Sequence, residues 1–182
     1  MQCPRCSTDV SDRVDACPAC SFTLAELDAL AGEVPARTGA ITDLSGALSA
    51  ADRGRLEARA AELRRRTGAE LAVLIVPRSP IPPAQYVFWL FNRTDVGGAE
   101  NKGFLVLLSL EEKHVEVEVG YGLEHIIDDE NSGAVLDEHV LPRLAEARWG
   151  EALYTGVDVL AQIVEGGKRA PLGLRLRQWL PG

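Results

Sequence analysis

Long apolar runs are absent from this chain. Segments such as Leu71–Val76 and Phe104–Leu108 fall far short of the ~18 to 20 residues needed to span a bilayer. The opening MQCPRCSTD lacks a basic stretch followed by an apolar one, so no secretory signal is read there. Both absences predict a cytoplasmic protein without a transmembrane segment. Cysteine is missing after residue 20. With those thiols committed to a metal, a cysteine-phosphatase mechanism is excluded. No DxDxT-type aspartyl nucleophile and no GxxxxGK(S/T) phosphate loop occur. Basic charge is scarce, since 19 Lys and Arg face 27 Asp and Glu. Phosphate contacts need clustered Lys and Arg, so a nucleic-acid partner is not expected.

What is present is a globular composition. Hydrophobic residues make up 46% and charged residues 25%, which excludes disorder as the state of the whole chain. Its 182 residues suffice for one medium domain and a small module. The charge is uneven. Residues 1–34 carry Arg5 and Arg13 against six carboxylates, whereas residues 167–182 carry Lys168, Arg169, Arg175 and Arg177 and no acidic residue.

The four cysteines read Cys3-Pro-Arg-Cys6, then ten residues, then Cys17-Pro-Ala-Cys20. Each CxxC turn aims two sulfurs at one point, and Zn²⁺ takes four thiolates in a tetrahedron. Pro at the second position presets φ for the turn. Disulfides would need an oxidising compartment. A redox CxxC belongs at a strand-to-helix junction of a larger domain. Iron is chemically compatible with the same four ligands. The reading is a structural zinc ribbon over 1–22, with Thr8–Val10 and Val14 as strand residues of a short hairpin. Four protein ligands leave no open position, so the centre is not catalytic.

Residues 23–39 form a linker. Leu24, Leu27 and Leu30 within it have helical spacing, and Val34–Gly39 marks the domain boundary. No internal repeat is visible. Over 40–166, Ser49-Ala-Ala-Asp52 opens a helix in the manner of a capping box. Leu48, Leu56, Ala60 and Leu63 give it one apolar face, and Arg64–Arg66 and Gly68 close it. Glu70–Val76 reads as a buried strand. Ala84–Asn92 reads as a helix, and Asp95–Lys102 as a Gly-rich loop. Gly103–Leu110 and the alternating His114–Val119 form a hairpin. Ser132–Glu146 and Trp149–Glu165 are the last helices. The order helix, strand, helix, strand, strand, helix, helix implies an α/β layered sandwich with a mixed sheet. Residues 167–182 are a basic tail bearing Leu174, Leu176, Trp179 and Leu180.

Several segments line up with one family. They are Thr42-Asp43-Leu44 with Leu48-Ser49, then Thr67-Gly68-Ala69-Glu70-Leu71. Val96-Gly97-Gly98 with Glu100-Asn101-Lys102-Gly103 follows, then Val119–Glu124 with Ile127-Asp128, and Pro142 with the helix over 151–160. Together they resemble the TPM domain, known from thylakoid-lumen photosystem-repair proteins and bacterial relatives. The resemblance implies a Rossmann-like α/β/α sandwich. It also implies a divalent-cation site, calcium included, in some members and weak acid phosphatase activity in others. Many relatives carry a signal peptide and a membrane segment, whereas here a zinc ribbon precedes the domain.

Hard cations want oxygen ligands. Carboxylates cluster in the family-like loops at Asp43, Asp95, Glu100, Glu124, Asp128, Asp129 and Glu130, with Asn101 beside them. Asp43, Asn101 and Asp128 are the first candidates for a Ca²⁺ or Mg²⁺ site, and Glu100 and Asp129 the second. Helix or turn capping is the competing role for Asp43, Asp128 and Asp129. His114, His125 and His139 are scattered, with His125 three residues before Asp128. The function expected is a non-catalytic binding or assembly factor, contacting a protein partner through the ribbon or the tail. The alternative is a metal-dependent phosphatase acting on phosphomonoesters.

Overall fold

A computed structural model describes residues 2–11, 14–127 and 129–166, and for 129–131 the backbone alone. After the cysteine module comes α1 (Leu24–Ala31), capped by the Thr23 side chain. Then follow β1 (Ile41–Asp43), α2 (Ala50–Thr67), β2 (Glu70–Val76), α3 (Pro83–Arg93), β3 (Gly103–Ser109) and β4 (His114–Val119). The last stretch is α4 (Asp129–Val135), a π turn over Leu136–Val140, α5 (Leu141–Ala145) and α6 (Trp149–Gly166).

The capping signals act where they were read. The Ser49 hydroxyl accepts the Asp52 N–H at 3.1 Å, and Gly68 closes α2 in the left-handed region at φ 75°. The apolar run Glu70–Val76 becomes a central strand because both of its faces are covered. Leu71, Val73 and Ile75 join the core under α2 and α6, with Phe104, Val106 and Leu108 of β3. Ala72, Leu74 and Val76 join a second core under α3, with Leu105 and Leu107. Helices therefore cover both faces of the sheet, giving an α/β/α sandwich.

The sheet order is β1-β2-β3-β4. β1, β2 and β3 are parallel, and β3 pairs antiparallel with β4, so the sheet is mixed. The order advances one way while α2 and α3 lie on opposite faces. The two crossovers consequently have opposite hands, and one is of the rare left-handed kind.

Three expectations need correction. The predicted order omitted β1, a three-residue strand placed by pairing Ile41 with Val73 rather than by any periodicity of its own. The helix predicted over 132–146 starts at Asp129 and is interrupted by the π turn. Pro142 explains the interruption. Its ring would meet the Glu138 carbonyl in a regular helix, and the wider turn makes room. The hairpin from Thr8–Val10 and Val14 is replaced, among the described residues, by two isolated bridges, Gln2 with Asp9 and Ala16 with Thr23. Each bridge closes its own CxxC turn. The helical spacing of Leu24, Leu27 and Leu30 is met by α1, on which Leu27 is buried and Leu30 exposed.

Candidate functional site

The two CxxC turns are structural repeats of one unit, which the sequence reading missed because the unit is so short. Cys3 N–H donates to the Thr8 carbonyl at 2.9 Å and Ser7 N–H to the Cys3 carbonyl at 2.8 Å. Fourteen residues on, Cys17 bonds to Phe22 and Ser21 to Cys17 at the same 2.9 and 2.8 Å. Ser7 and Ser21 both take a positive φ, 57° and 58°. The shared string Cys-Pro-x-Cys-Ser was the visible signal.

The paired turns bring all four sulfurs within 4.8 Å of one another, close enough to hold one metal ion. Cys3 Sγ lies 3.8 Å from Cys20 Sγ, and Cys6 Sγ 3.7 Å from Cys17 Sγ. A disulfide needs ~2.05 Å, so the thiols are free. The Thr8 hydroxyl and backbone N–H hold the Cys6 thiol down to about 6. Against a backbone bond from Phe22, burial and the neighbouring thiols push the Cys20 thiol up to about 12. Among the described residues this is the one group of three or more His, Cys, Asp or Glu side chains close enough to hold a metal.

The module packs on the main domain. Cys3, Cys17 and Phe22 are buried in the same core as Tyr86, Val87, Trp89 and Leu90 of α3. The Phe22 and Phe88 rings sit 6.0 Å apart. Arg5 lies 4.7 Å over the Phe22 ring and bonds Glu26 at 2.7 Å. From α1, Asp28 accepts Trp89 Nε1–H at 2.9 Å and both ends of the Arg93 guanidinium at 2.8 and 2.7 Å. Arg93 foremost, with Trp89, draws the Asp28 carboxyl down to about 2. None of these partners was identified from the sequence.

The carboxylate candidates divide between two ends of the sheet. Asp43 closes β1, aligned with Ile75 near the end of β2. Its Oδ1 accepts the Ser45 hydroxyl at 2.7 Å and the N–H groups of Ser45 and Gly46 at 3.0 and 2.9 Å; Oδ2 accepts Leu48 N–H at 2.9 Å. Burial resists ionisation, but these four donors hold its carboxyl below the ordinary range. That is the geometry of a turn cap. Glu100 and Asn101 are exposed and precede β3, whose first residue aligns with Glu70 at the start of β2. The span of β2 separates the two ends by ~20 Å at about 3.3 Å per residue. Asp95 and His125 are exposed. Asp128, the side chains of Asp129 and Glu130, and the tail over 167–182 lie outside the described residues.

The glycines of the family-like motifs serve close packing. A Cβ on Gly97, which sits at φ 87°, would lie 2.6 Å from Gly103 N; one on Gly120 would lie 2.2 Å from the Asn101 carbonyl oxygen. Gly122 N–H donates to that same oxygen at 3.1 Å. The loops over 97–103 and 120–124 are thereby pressed backbone to backbone. A cleft of about 430 Å³ separates the cysteine module from β4 and α4. A neighbouring one of about 350 Å³ opens between the module, α3 and Tyr121.

Fold and site together define an α/β/α sandwich domain with a tetracysteine module seated on its second face. The chain belongs to the TPM domain family, whose profile matches residues 41–163. No match is found among curated proteins. Among solved structures it is similar to the N-terminal domain of a protein from P. gingivalis. That match has a TM-score of 0.67 and 25% identity over 81% of this chain and 90% of that one. It also resembles the N-terminal domain of the cg2496 protein from Corynebacterium glutamicum, with TM-score 0.58, 12% identity, and 81% and 96% covered. The BA42 protein from the psychrophilic bacterium Bizionia argentinensis shares the fold at TM-score 0.60 and 13% identity, with 69% and 87% covered.

Proposed function

We propose that the four thiolates hold one structural Zn²⁺ and that the protein is a non-catalytic binding or assembly factor. The observation that carries this reading is the sulfur geometry. Zn–S bonds of ~2.3 Å in a tetrahedron imply about 3.8 Å between sulfurs, and two of the pairs stand at 3.8 and 3.7 Å. Such an ion would fold and brace the module. With four protein ligands it would offer no position to water or substrate. Residues 1–22 are then a zinc ribbon, 23–39 a linker carrying α1, 40–166 the TPM domain and 167–182 a basic tail. The partner is a protein met through the ribbon or the tail, and a reducing cytoplasm would keep the thiols available.

A Ca²⁺ or Mg²⁺ site, where one forms, draws on Glu100, Asn101, Asp128 and Asp129 rather than on Asp43, whose oxygens already accept four donors. The test uses the full chain. Metal analysis is expected to give one zinc per chain, and iron in its place would change the metal assignment. Phosphomonoester hydrolysis is then assayed with Ca²⁺, Mg²⁺ or Mn²⁺ added, and no turnover is expected. Turnover that disappears in Asp128→Ala would replace this reading with a metal-dependent phosphatase.

A further inference from the structure

The cleft of about 350 Å³ opens where the cysteine module meets α3 and the loop after β4. Binding sites start near ~300 Å³ and are mostly apolar, with a few polar groups that set specificity. The walls here are aromatic. Phe88 and Phe91 stand three residues apart on α3 and so share one face of the helix; both line the cleft. The Phe91 ring lies against Gly120, where a Cβ would be 3.0 Å from its Cζ. Phe22 enters from the module, with its ring centroid 6.0 Å from that of Phe88. Two apolar side chains of the lining stay open to solvent, Val14 at 48% and Tyr121 at 43%. One comes from the module and the other from the loop after β4.

The charges select the occupant. Among the described residues no Lys, Arg or His lines the cleft. Asp15 lines it and is exposed, and no basic side chain among the described residues pairs with it. Glu118 and Glu124 line it too, but each already has a partner, so neither is counted. Cys3 and Cys17 belong to the same wall. Four thiolates outweigh one divalent ion, so a Zn²⁺-loaded centre is itself an anion behind that wall. Aromatic faces backed by negative charge attract cations. The module already shows this on one ring, since the Arg5 guanidinium lies 4.7 Å over Phe22. Arg5 does not line the cleft and pairs with Glu26 at 2.7 Å. Of the two long cationic side chains, arginine suits such a place better. Its planar guanidinium stacks on rings and is more weakly hydrated than an ammonium.

We propose that this cleft receives an arginine side chain of a partner protein, with the guanidinium on the Phe91 and Tyr121 rings and drawn by the charge of Asp15 and the cysteine centre. The inference deepens the reading of the protein as a zinc-bearing binding factor and rests on it. It also says what the module's seat is for. The cleft is complete only with the module on α3, so the partner meets module and TPM domain together.

Aromatic and amide NMR shifts of the full chain test it. The probe is a glycine peptide, capped at both ends, with one central arginine. The control peptide carries citrulline, which keeps the shape and lacks the charge, and α2 amides report that each variant is folded. The expected result is saturable shifts at Phe88, Phe91 and Tyr121 with the arginine peptide. Citrulline, Tyr121→Leu and Asp15→Asn should each weaken binding about threefold or more. No saturable shift, equal affinity for the two peptides, or affinity untouched by both substitutions would overturn the proposal. Shifts at these rings that follow protein concentration alone would also overturn it, assigning the cleft to a second copy. Zinc content and phosphomonoester turnover are measured on the same samples. Binding with zinc absent or turnover present would support the proposal and overturn the zinc-bearing, non-catalytic reading. No binding in a zinc-loaded, inactive chain would overturn the proposal alone.

Discussion

Four donors converge on Asp43, and that fixes what its removal does. Asp43→Ala strands three backbone N–H groups and a hydroxyl. Leaving such groups unsatisfied costs about 1–3 kcal/mol, and denaturant unfolding should lose that amount. The pH profile adds a sign. The folded carboxyl titrates below its unfolded value, so its contribution is complete above the unfolded pKa near ~3.9. It fades as pH falls through the lower folded value. Asp43→Asn should flatten this acid limb, and an unchanged limb would deny Asp43 the capping role. Two glycines make a second contrast. A Cβ on Gly54, exposed on α2, meets nothing within 4 Å, so Gly54→Ala should stabilise by about 0.5–1 kcal/mol. Gly120→Ala drives a Cβ into the Asn101 carbonyl and should destabilise by about 1–3 kcal/mol. Thermal unfolding of the pair reads both signs at once.

Between elements, a buried electrostatic joint links α2 to α6. Arg59 is buried, with its side chain 7% exposed, and bonds Asp158 at 2.6 Å and Glu165 at 2.7 Å. Burial opposes the charge on Arg59, but these two carboxylates more than offset it. Arg59→Ala leaves both carboxylates without that partner and should cost about 3 kcal/mol. Arg66→Ala removes an exposed partner of the same Glu165 and should cost under ~1 kcal/mol. Equal losses in a denaturant titration would show that burial adds nothing at this joint. Elements were legible in the sequence where their chemistry is local. Ser49 and Gly68 bracket α2, and Glu70–Val76 is a strand end to end, because caps and apolar runs need no distant partner. β1 was not legible, since its three residues are placed by β2. The π turn was hidden because Pro142 signals a disturbance without saying how the backbone absorbs it. The tetracysteine centre was legible because each CxxC supplies two ligands from one turn. Its seat was not, because Asp28 meets Trp89 and Arg93 across 61 and 65 residues of sequence.

Taken whole, the molecule shares one core between the cysteine module and α3. Metal removal should therefore be felt beyond residue 22. Stripping the full chain with a chelator is expected to uncover Phe88 and Phe91, raise binding of an apolar dye and speed amide exchange in α3, while α2 and α6 hold. A loss of about 3 kcal/mol would lower Tm by ~6–12 °C for a chain of this size. A stripped chain with unchanged Tm and no dye binding would mean that the module is braced by packing alone. The order of the chain gives the shared core a further consequence. A ribosome releases Cys3–Cys20 first and Pro83–Arg93, the surface that covers them, about sixty residues later. At ~5–20 residues per second, the thiols stand uncovered for about 3 to 12 s, so an ion held between the two turns would best be captured during synthesis, before their shelter exists.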